Sequence, residues 1–132
     1  MNILVGYVDT PEGRAALERG IQEAKLRDAE LFVAHVAKTG LKSDPAEEIL
    51  AYKGAMDHIE DRLRSEGLKG RAWEVLSVGG KSSALLQVAD DVDAGLIVIG
   101  LRTRTPVGKL VLGSNSQDII LRAQCPVLSL KP

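Results

Sequence analysis

Five short apolar runs alternate with four helical patterns along this chain, and no other feature limits its fold so strongly. The runs are Ile3–Val8, Glu30–Ala37, Arg71–Val78, Gly95–Ile99 and Pro126–Leu130. Each is too short for a buried helix and rich in Val, Ile and Leu, so each reads as a strand buried on both faces. Parallel strands need a crossover between them, and the crossover helix must lie on a face of the sheet. Strict alternation therefore predicts an α/β fold with a parallel sheet covered on both sides.

The helical stretches carry their own start signals. Thr10-Pro11-Glu12 offers an N-cap, a proline at the first helical position and a carboxylate in the electropositive first turn. From there Leu17, Ile21 and Ala24 form one buried stripe, and the helix runs to about Arg27. Asp44-Pro45-Ala46-Glu47 repeats the start signal for a second helix, with Ile49, Tyr52, Met56, Ile59 and Leu63 as its apolar face, ending at Gly67. After the turn at Gly79-Gly80, Ser82 or Ser83 caps a third helix reaching about Asp91, and a fourth spans Ser114 to Arg122.

A chain of 132 residues reads as a single domain over 1–132, with no repeat, linker or low-complexity tract. It is long enough to bury roughly two thirds of its unfolded surface without disulfides or metals. The 17 Lys and Arg against 18 Asp and Glu leave a net charge of -1 without a long run of either sign, which argues against a nucleic-acid binder with a basic face. No apolar stretch approaches the roughly 18 residues of a membrane span. The start of the chain lacks a basic leader with a long apolar segment, and the single cysteine, Cys125, excludes an internal disulfide. The expectation is a cytoplasmic protein.

The stretch from Gly100 to Ser116 is where chemistry is to be sought. It follows a buried strand, precedes a helix, and leaves a loop of about a dozen residues, unusual in a small domain unless functional. Open α/β sheets bind ligands at the carboxyl ends of their strands. Gly100 and Gly113 permit close backbone approach, and Ser114, Asn115 and Ser116 add donors beside the unpaired N–H groups of a helix start. Arg102, Arg104 and Lys109 could contribute charge-assisted bonds to phosphate. The alternative is an ordinary loop with a serine cap and solvated cations. Gly108-Lys109 is not a Walker A motif, because positions 103 and 110 hold Thr and Leu where that motif needs Gly and Ser or Thr. Nor does GxGxxG follow the first strand.

Other candidates are weaker. Asp9, at the carboxyl end of the first strand, could accept a bond from an adenine amino group or a ribose hydroxyl, or simply help start the first helix. His35 reads as a packed strand residue rather than a base or ligand, with no metal-spaced partner, and His58 as a solvated helix residue. Asp90, Asp91 and Asp93 read as surface carboxylates, and Cys125 as a small apolar residue before the last strand. No constellation for nucleophilic catalysis is present.

The residues ILVGYVDTPEGRAAL, LFVAHV, GLIVIG and especially PVGKLVLGSNSQDIILRAQCPVLSLKP resemble the universal stress protein family over essentially the full chain. The resemblance implies a five-stranded parallel sheet of order 3-2-1-4-5 with helices on both faces, a Rossmann-type fold like that of the adenine-nucleotide α-hydrolases. It implies a homodimer built by pairing of the last strands, here Val127, Leu128, Ser129 and Leu130. Nucleotide-binding members carry Gly, two residues, Gly, nine residues, Gly, then Ser or Thr. Gly100, Gly113 and Ser114 fall in register with that pattern, and Thr103 stands where it has its second glycine. By the same resemblance Asp9 and Val36 correspond to positions that contact the base, and Asn115 and Ser116 lie near the phosphates.

These observations lead to the expectation of a cytoplasmic, dimeric regulatory protein that binds ATP, or AMP or ADP, with Mg2+ accompanying the nucleotide. A dimeric interaction module without nucleotide is the alternative, and a slow ATPase ranks last. No membrane or nucleic-acid partner is expected.

Overall fold

The computed structural model describes residues 1–37, 45–77, 79–102 and 112–132, with the backbone alone at 45–49. Asp44, Val78, Thr103, Arg104, Gly108 and Lys109, all used above, lie outside the described residues, as does the side chain of Ile49. The elements in order are β1 (Asn2–Gly6), α1 (Pro11–Arg27), β2 (Glu30–Ala37), α2 (Pro45–Ser65), β3 (Gly70–Leu76), α3 (Lys81–Asp91), β4 (Ala94–Gly100), α4 (Ser114–Arg122) and β5 (Val127–Leu130).

All strand pairings are parallel and the order is β3-β2-β1-β4-β5. The sheet divides the core into two layers. On one face Ile3 and Val5 of β1 and Val33 of β2 meet Leu17, Ile21, Met56, Ile59 and Leu63 from α1 and α2. On the other, Leu4, Ala34, Val36, Ile97 and Ile99 meet Leu85, Val88 and Ala89 of α3 and Ile119 of α4. The alternation of Ile3, Leu4 and Val5 between these layers is the period-2 pattern of a strand buried on both faces. Burying each such side chain contributes about 1.5–3 kcal/mol. Among the described residues no helix is long and apolar enough to cross a membrane.

Several boundaries shift from those expected. β1 ends at Gly6 rather than Val8, because the chain then turns towards α1. The α1 cap is as expected, with Thr10 Oγ1 accepting from Gly13 N at 3.1 Å. α3 differs: its first helical residue is Lys81, and Gly80 occupies the cap position at φ 104° with no side-chain capping bond. That left-handed backbone favours glycine. Ser82 and Ser83 thus lie inside the helix and do not cap it. In β3, Leu76 is exposed while Trp73 and Val75 pack on the α3/α4 layer. Adjacent residues of a strand point to opposite faces, so Val75 and Leu76 cannot share the core.

The order β3-β2-β1-β4-β5 contains one switch point. From β1 the chain moves to one side through β2 and β3, then crosses over to lay β4 on the other side of β1. The helices following β1 and β4 diverge there, leaving a crevice at the carboxyl ends of these two strands.

Candidate functional site

A cavity of about 370 Å3 occupies that crevice, within the size range of small-molecule sites. Its floor is apolar, formed by Ala34, Val36, Leu85, Ile99 and Ile119. Gly6, Tyr7 and Val8 bring the end of β1 to its edge. Polar groups enter from three helix starts: Glu12 from α1, Lys81 and Ser82 from α3, and Ser114, Asn115 and Ser116 from α4. The first-turn N–H groups of a helix lack intrahelical partners and carry partial positive charge. Neither α3 nor α4 has a side-chain capping bond of its own.

Of the glycines lining the cavity, Gly100 and Gly113 have different reasons to be there. A β-carbon on Gly100 would meet the carbonyl oxygen of Glu12 at 2.2 Å and its carbon at 2.5 Å. Gly100 is therefore required by the close packing of α1 against the end of β4. Gly113 has φ −62°, open to any residue, and beyond its chain neighbours no described atom lies within 4 Å of the position its β-carbon would take. Neither backbone conformation nor packing against the described residues accounts for that glycine.

Among the described lining residues the charged ones are Glu12, Lys81 and Arg102. Arg102 Nε lies 3.7 Å from Glu12 Oε1, with the arginine side chain 74% exposed. A pair this long and this solvated holds its partners loosely. Burial, reinforced by the nearby charge of Asp9, pushes the Tyr7 hydroxyl pKa up, so the group stays protonated at neutral pH. Beneath α3, Ser82 is buried and its hydroxyl donates to Asp118 Oδ2 of α4 at 2.5 Å. Arg122 Nη1 reaches the same oxygen at 2.8 Å. The Ser82 hydrogen bond first, and Arg122 next, hold the Asp118 carboxyl below the usual carboxylate range.

Of the residues singled out from the sequence, Val36, Gly100, Arg102, Gly113, Ser114, Asn115 and Ser116 line this one cavity. Asp9 does not line it: its exposed carboxylate accepts a hydrogen bond from Arg14 Nη1 at 2.8 Å, an i to i+5 contact across the start of α1. Thr103 lies outside the described residues. The sequence reading missed Tyr7, Glu12, Lys81 and Ser82. A signal for α3 was present, since Gly80 followed by Lys81-Ser82-Ser83 echoes the glycine-then-hydroxyl pattern of Gly113-Ser114.

A second cavity, of about 390 Å3, lies between the far ends of α3 and α4 and the start of β4, with Asp90, Asp93, Arg122 and Cys125 in its lining. Burial raises the Cys125 thiol pKa, which leaves it less reactive than a free thiol. Among the described residues, no group of three or more His, Cys, Asp and Glu side chains is placed to hold a metal ion.

The profile of the Universal stress protein family matches residues 1–131. The chain belongs to this family. A universal stress protein of Mycolicibacterium smegmatis is 40% identical to this universal stress protein over 130 residues, covering 98% of this chain and 97% of its own length. The solved structure of a universal stress protein from Archaeoglobus fulgidus is 30% identical with a TM-score of 0.80, covering 97% of this chain and 96% of that one. A second structure, of the universal stress protein from Archaeoglobus fulgidus in complex with dAMP, is 26% identical with a TM-score of 0.75, covering 97% and 94%. The strand order and the expected helices on both faces are those found here.

Proposed function

We propose that this universal stress protein binds an adenine nucleotide in the cavity between β1 and β4 and acts as a regulatory switch. The observation that carries the proposal is Gly113. A glycine with an ordinary φ, beside a cavity, in space that no described atom fills, is explained by close approach of a ligand. The start of α4 beside it suits an anion, and the apolar floor suits a base. The related Archaeoglobus fulgidus protein whose structure is a complex with dAMP supports the adenine class.

In this reading Val36 and the strand ends hold the base, and Gly113, Ser114, Asn115 and Ser116 receive the phosphates. Arg102, released from its loose contact with Glu12, adds charge at the mouth. Thr103 follows Arg102 in the sequence and is expected to face the same ligand. Asp9 reaches the ligand only if it leaves Arg14. ATP, ADP and AMP share the chemistry that this site would recognise. Among the described lining residues Glu12 is the one carboxylate, so Mg2+ would be held chiefly by the phosphate oxygens with which it arrives.

The whole of 1–132 acts as one domain, in the cytoplasm, as a homodimer. The dimer reading draws on β5, which has a strand neighbour on one side only among the described residues. An open strand edge is a template for a second copy. The second reading, a dimeric module without nucleotide, is favoured by Thr103, which stands where nucleotide-binding members have glycine. Catalysis ranks last, since among the described lining residues Glu12 is the one carboxylate and no histidine or cysteine accompanies it.

Titration calorimetry with ATP, ADP and AMP, with and without Mg2+, tests the proposal. Saturable heat is expected for at least one of them. No heat at millimolar nucleotide would leave the interaction module as the reading.

A further inference from the structure

Ser82 stands where a helix-capping serine is expected, and it does not cap. Its hydroxyl is directed instead to Asp118 Oδ2 at 2.5 Å, a contact between residues 36 apart in sequence. Asp118 lies one turn after Ser114 on α4, and Arg122, a further turn on, binds both Asp118 Oδ2 at 2.8 Å and Ser83 Oγ at 3.2 Å. The first turn of α3 is thereby tied to α4 through polar contacts, above the apolar contact layer that holds Leu85 and Ile119. Both helix starts, Lys81-Ser82 and Ser114–Ser116, border the cavity. Apolar packing holds the two helices together, and this tie adds directional contacts that fix how their first turns sit against each other.

We propose that Asp118 is the positioning residue of the cavity, joining α3 to α4 so that the starts of both helices face the phosphate of one bound nucleotide. The inference rests on the nucleotide reading and adds a second arm to it. Asp118 does not touch the ligand. It acts through Ser82, which lines the cavity, and through the spacing of the two helix starts. Lys81, carried into the lining by the same turn, supplies the charge of the second arm. The base end of the cavity rests on Ala34, Val36 and Ile99 of the sheet as well as on Leu85 and Ile119 of the two helices, so it depends on the tie less than the phosphate end does.

The test separates the phosphate end from the base end. AMP and adenosine are titrated against the wild-type chain, Asp118→Ala, Ser82→Ala, the double variant and Asp118→Asn. Asp118→Ala is expected to weaken AMP about tenfold and adenosine much less. Ser82→Ala should do nearly the same, and the double variant should be no weaker than the worse single, as for two ends of one contact. Asp118→Asn, which keeps an acceptor for Ser82, should restore most of the AMP affinity. Asp118 is part-exposed, so these chains should fold, and amide exchange without ligand should show the first turns of α3 and α4 exchanging faster in both alanine variants. AMP and adenosine weakening alike, neither changing, or additive singles would overturn the positioning role. A wild-type chain that binds neither would overturn the nucleotide reading itself, and this inference with it.

Discussion

The carbonyl oxygen of Glu12 lies only 2.2 Å from the position a β-carbon on Gly100 would take. The first turn of α1 packs against the last residue of β4 with no room for a side chain. The obstacle is backbone on both sides, so it cannot be relieved by a rotamer change. Gly13 shows the same closeness at the end of β1, where a β-carbon would meet the Val8 carbonyl oxygen at 1.8 Å. Gly100→Ala is therefore expected to destabilise the chain by about 3 kcal/mol, the upper end for overpacking. Urea unfolding without nucleotide measures it. An unchanged midpoint would show that α1 can shift, and that Gly100 is kept for the ligand.

Gly113 makes the opposite prediction. Serine is at least as good as glycine at an N-cap, and no described atom beyond the chain neighbours lies within 4 Å of where the β-carbon would be. Gly113→Ser should leave the unfolding midpoint within about 0.5 kcal/mol of wild type. Its side chain would occupy the space through which a ligand approaches α4, so nucleotide affinity should fall about tenfold, as expected where steric fit is lost. A stable variant with full affinity would return Gly113 to the status of an ordinary helix cap.

This contrast marks what was legible in the sequence. Both glycines stood out equally, since composition shows that a β-carbon is absent and not what would meet it. β2 and α4 fell where expected because Glu30–Ala37 is bounded by polar residues and Gly113-Ser114 is a strong helix start. The stripe Leu17, Ile21 and Ala24 is buried as its spacing requires. What was hidden is long-range. Ser82 offers the chemistry of a cap, and only the packing of α3 on α4 brings Asp118 to it. Asp9 was drawn to the site by its place at a strand end, yet Arg14, one turn into α1, takes its carboxylate.

His35 is the other long-range case. It lies opposite Glu74 in the β2–β3 register, and its Nδ1 is 2.7 and 2.8 Å from the two carboxylate oxygens. Its ring stacks on Tyr52 of α2 with centroids 3.5 Å apart, and the side chains of His35 and Glu74 are at least 95% buried. Sequence identified a packed histidine, not its carboxylate, which is 39 residues away. His35→Leu keeps the volume and removes one hydrogen-bond partner from the buried carboxylate, so a loss of about 1–3 kcal/mol is expected. Pairing it with Glu74→Leu should recover most of that loss. The fluorescence of Trp73, the chain's single tryptophan and next to Glu74, can follow unfolding. A single variant as stable as wild type would show that the pair contributes nothing.

Acid should destabilise the fold through a definable set of carboxylates. Hydrogen bonds from Arg62 to Glu18, from Arg19 to Glu23, and from Ser82 to Asp118 lower these groups' pKa values in the folded chain. A folded pKa below the unfolded one contributes stability that is present above the unfolded value, near pH 4, and is lost as pH falls through the folded value. The urea midpoint should thus be insensitive to these groups from pH 7 to about 5 and decline below about 4. Glu18 and Arg62 join α1 to α2, with Arg62 Nη2 2.7 Å from Glu18 Oε2. Glu18→Gln should flatten part of the decline while costing less than about 1 kcal/mol at neutral pH, because the pair is exposed. A decline as steep as wild type in that variant would assign the acid sensitivity elsewhere.

The proposed dimer can be tested at one backbone atom. Ile97 N donates to Pro126 O at 3.0 Å and Leu101 N to Leu130 O at 2.7 Å, so even-numbered residues of the last strand face β4. In a parallel ladder a residue that turns one backbone group to its neighbour turns both, and alternate residues face away. The N–H and C=O of Val127 and Ser129 therefore point to the open edge of β5. Ser129→Pro removes one outward N–H and leaves the β4 pairing intact, since proline is tolerated on an edge strand. If second copies pair along this edge, Ser129→Pro should sediment as a monomer while keeping the wild-type circular dichroism spectrum and unfolding transition. A variant that dimerises as tightly as wild type would move the interface away from β5. A wild-type chain that is monomeric at every concentration would remove the homodimer altogether.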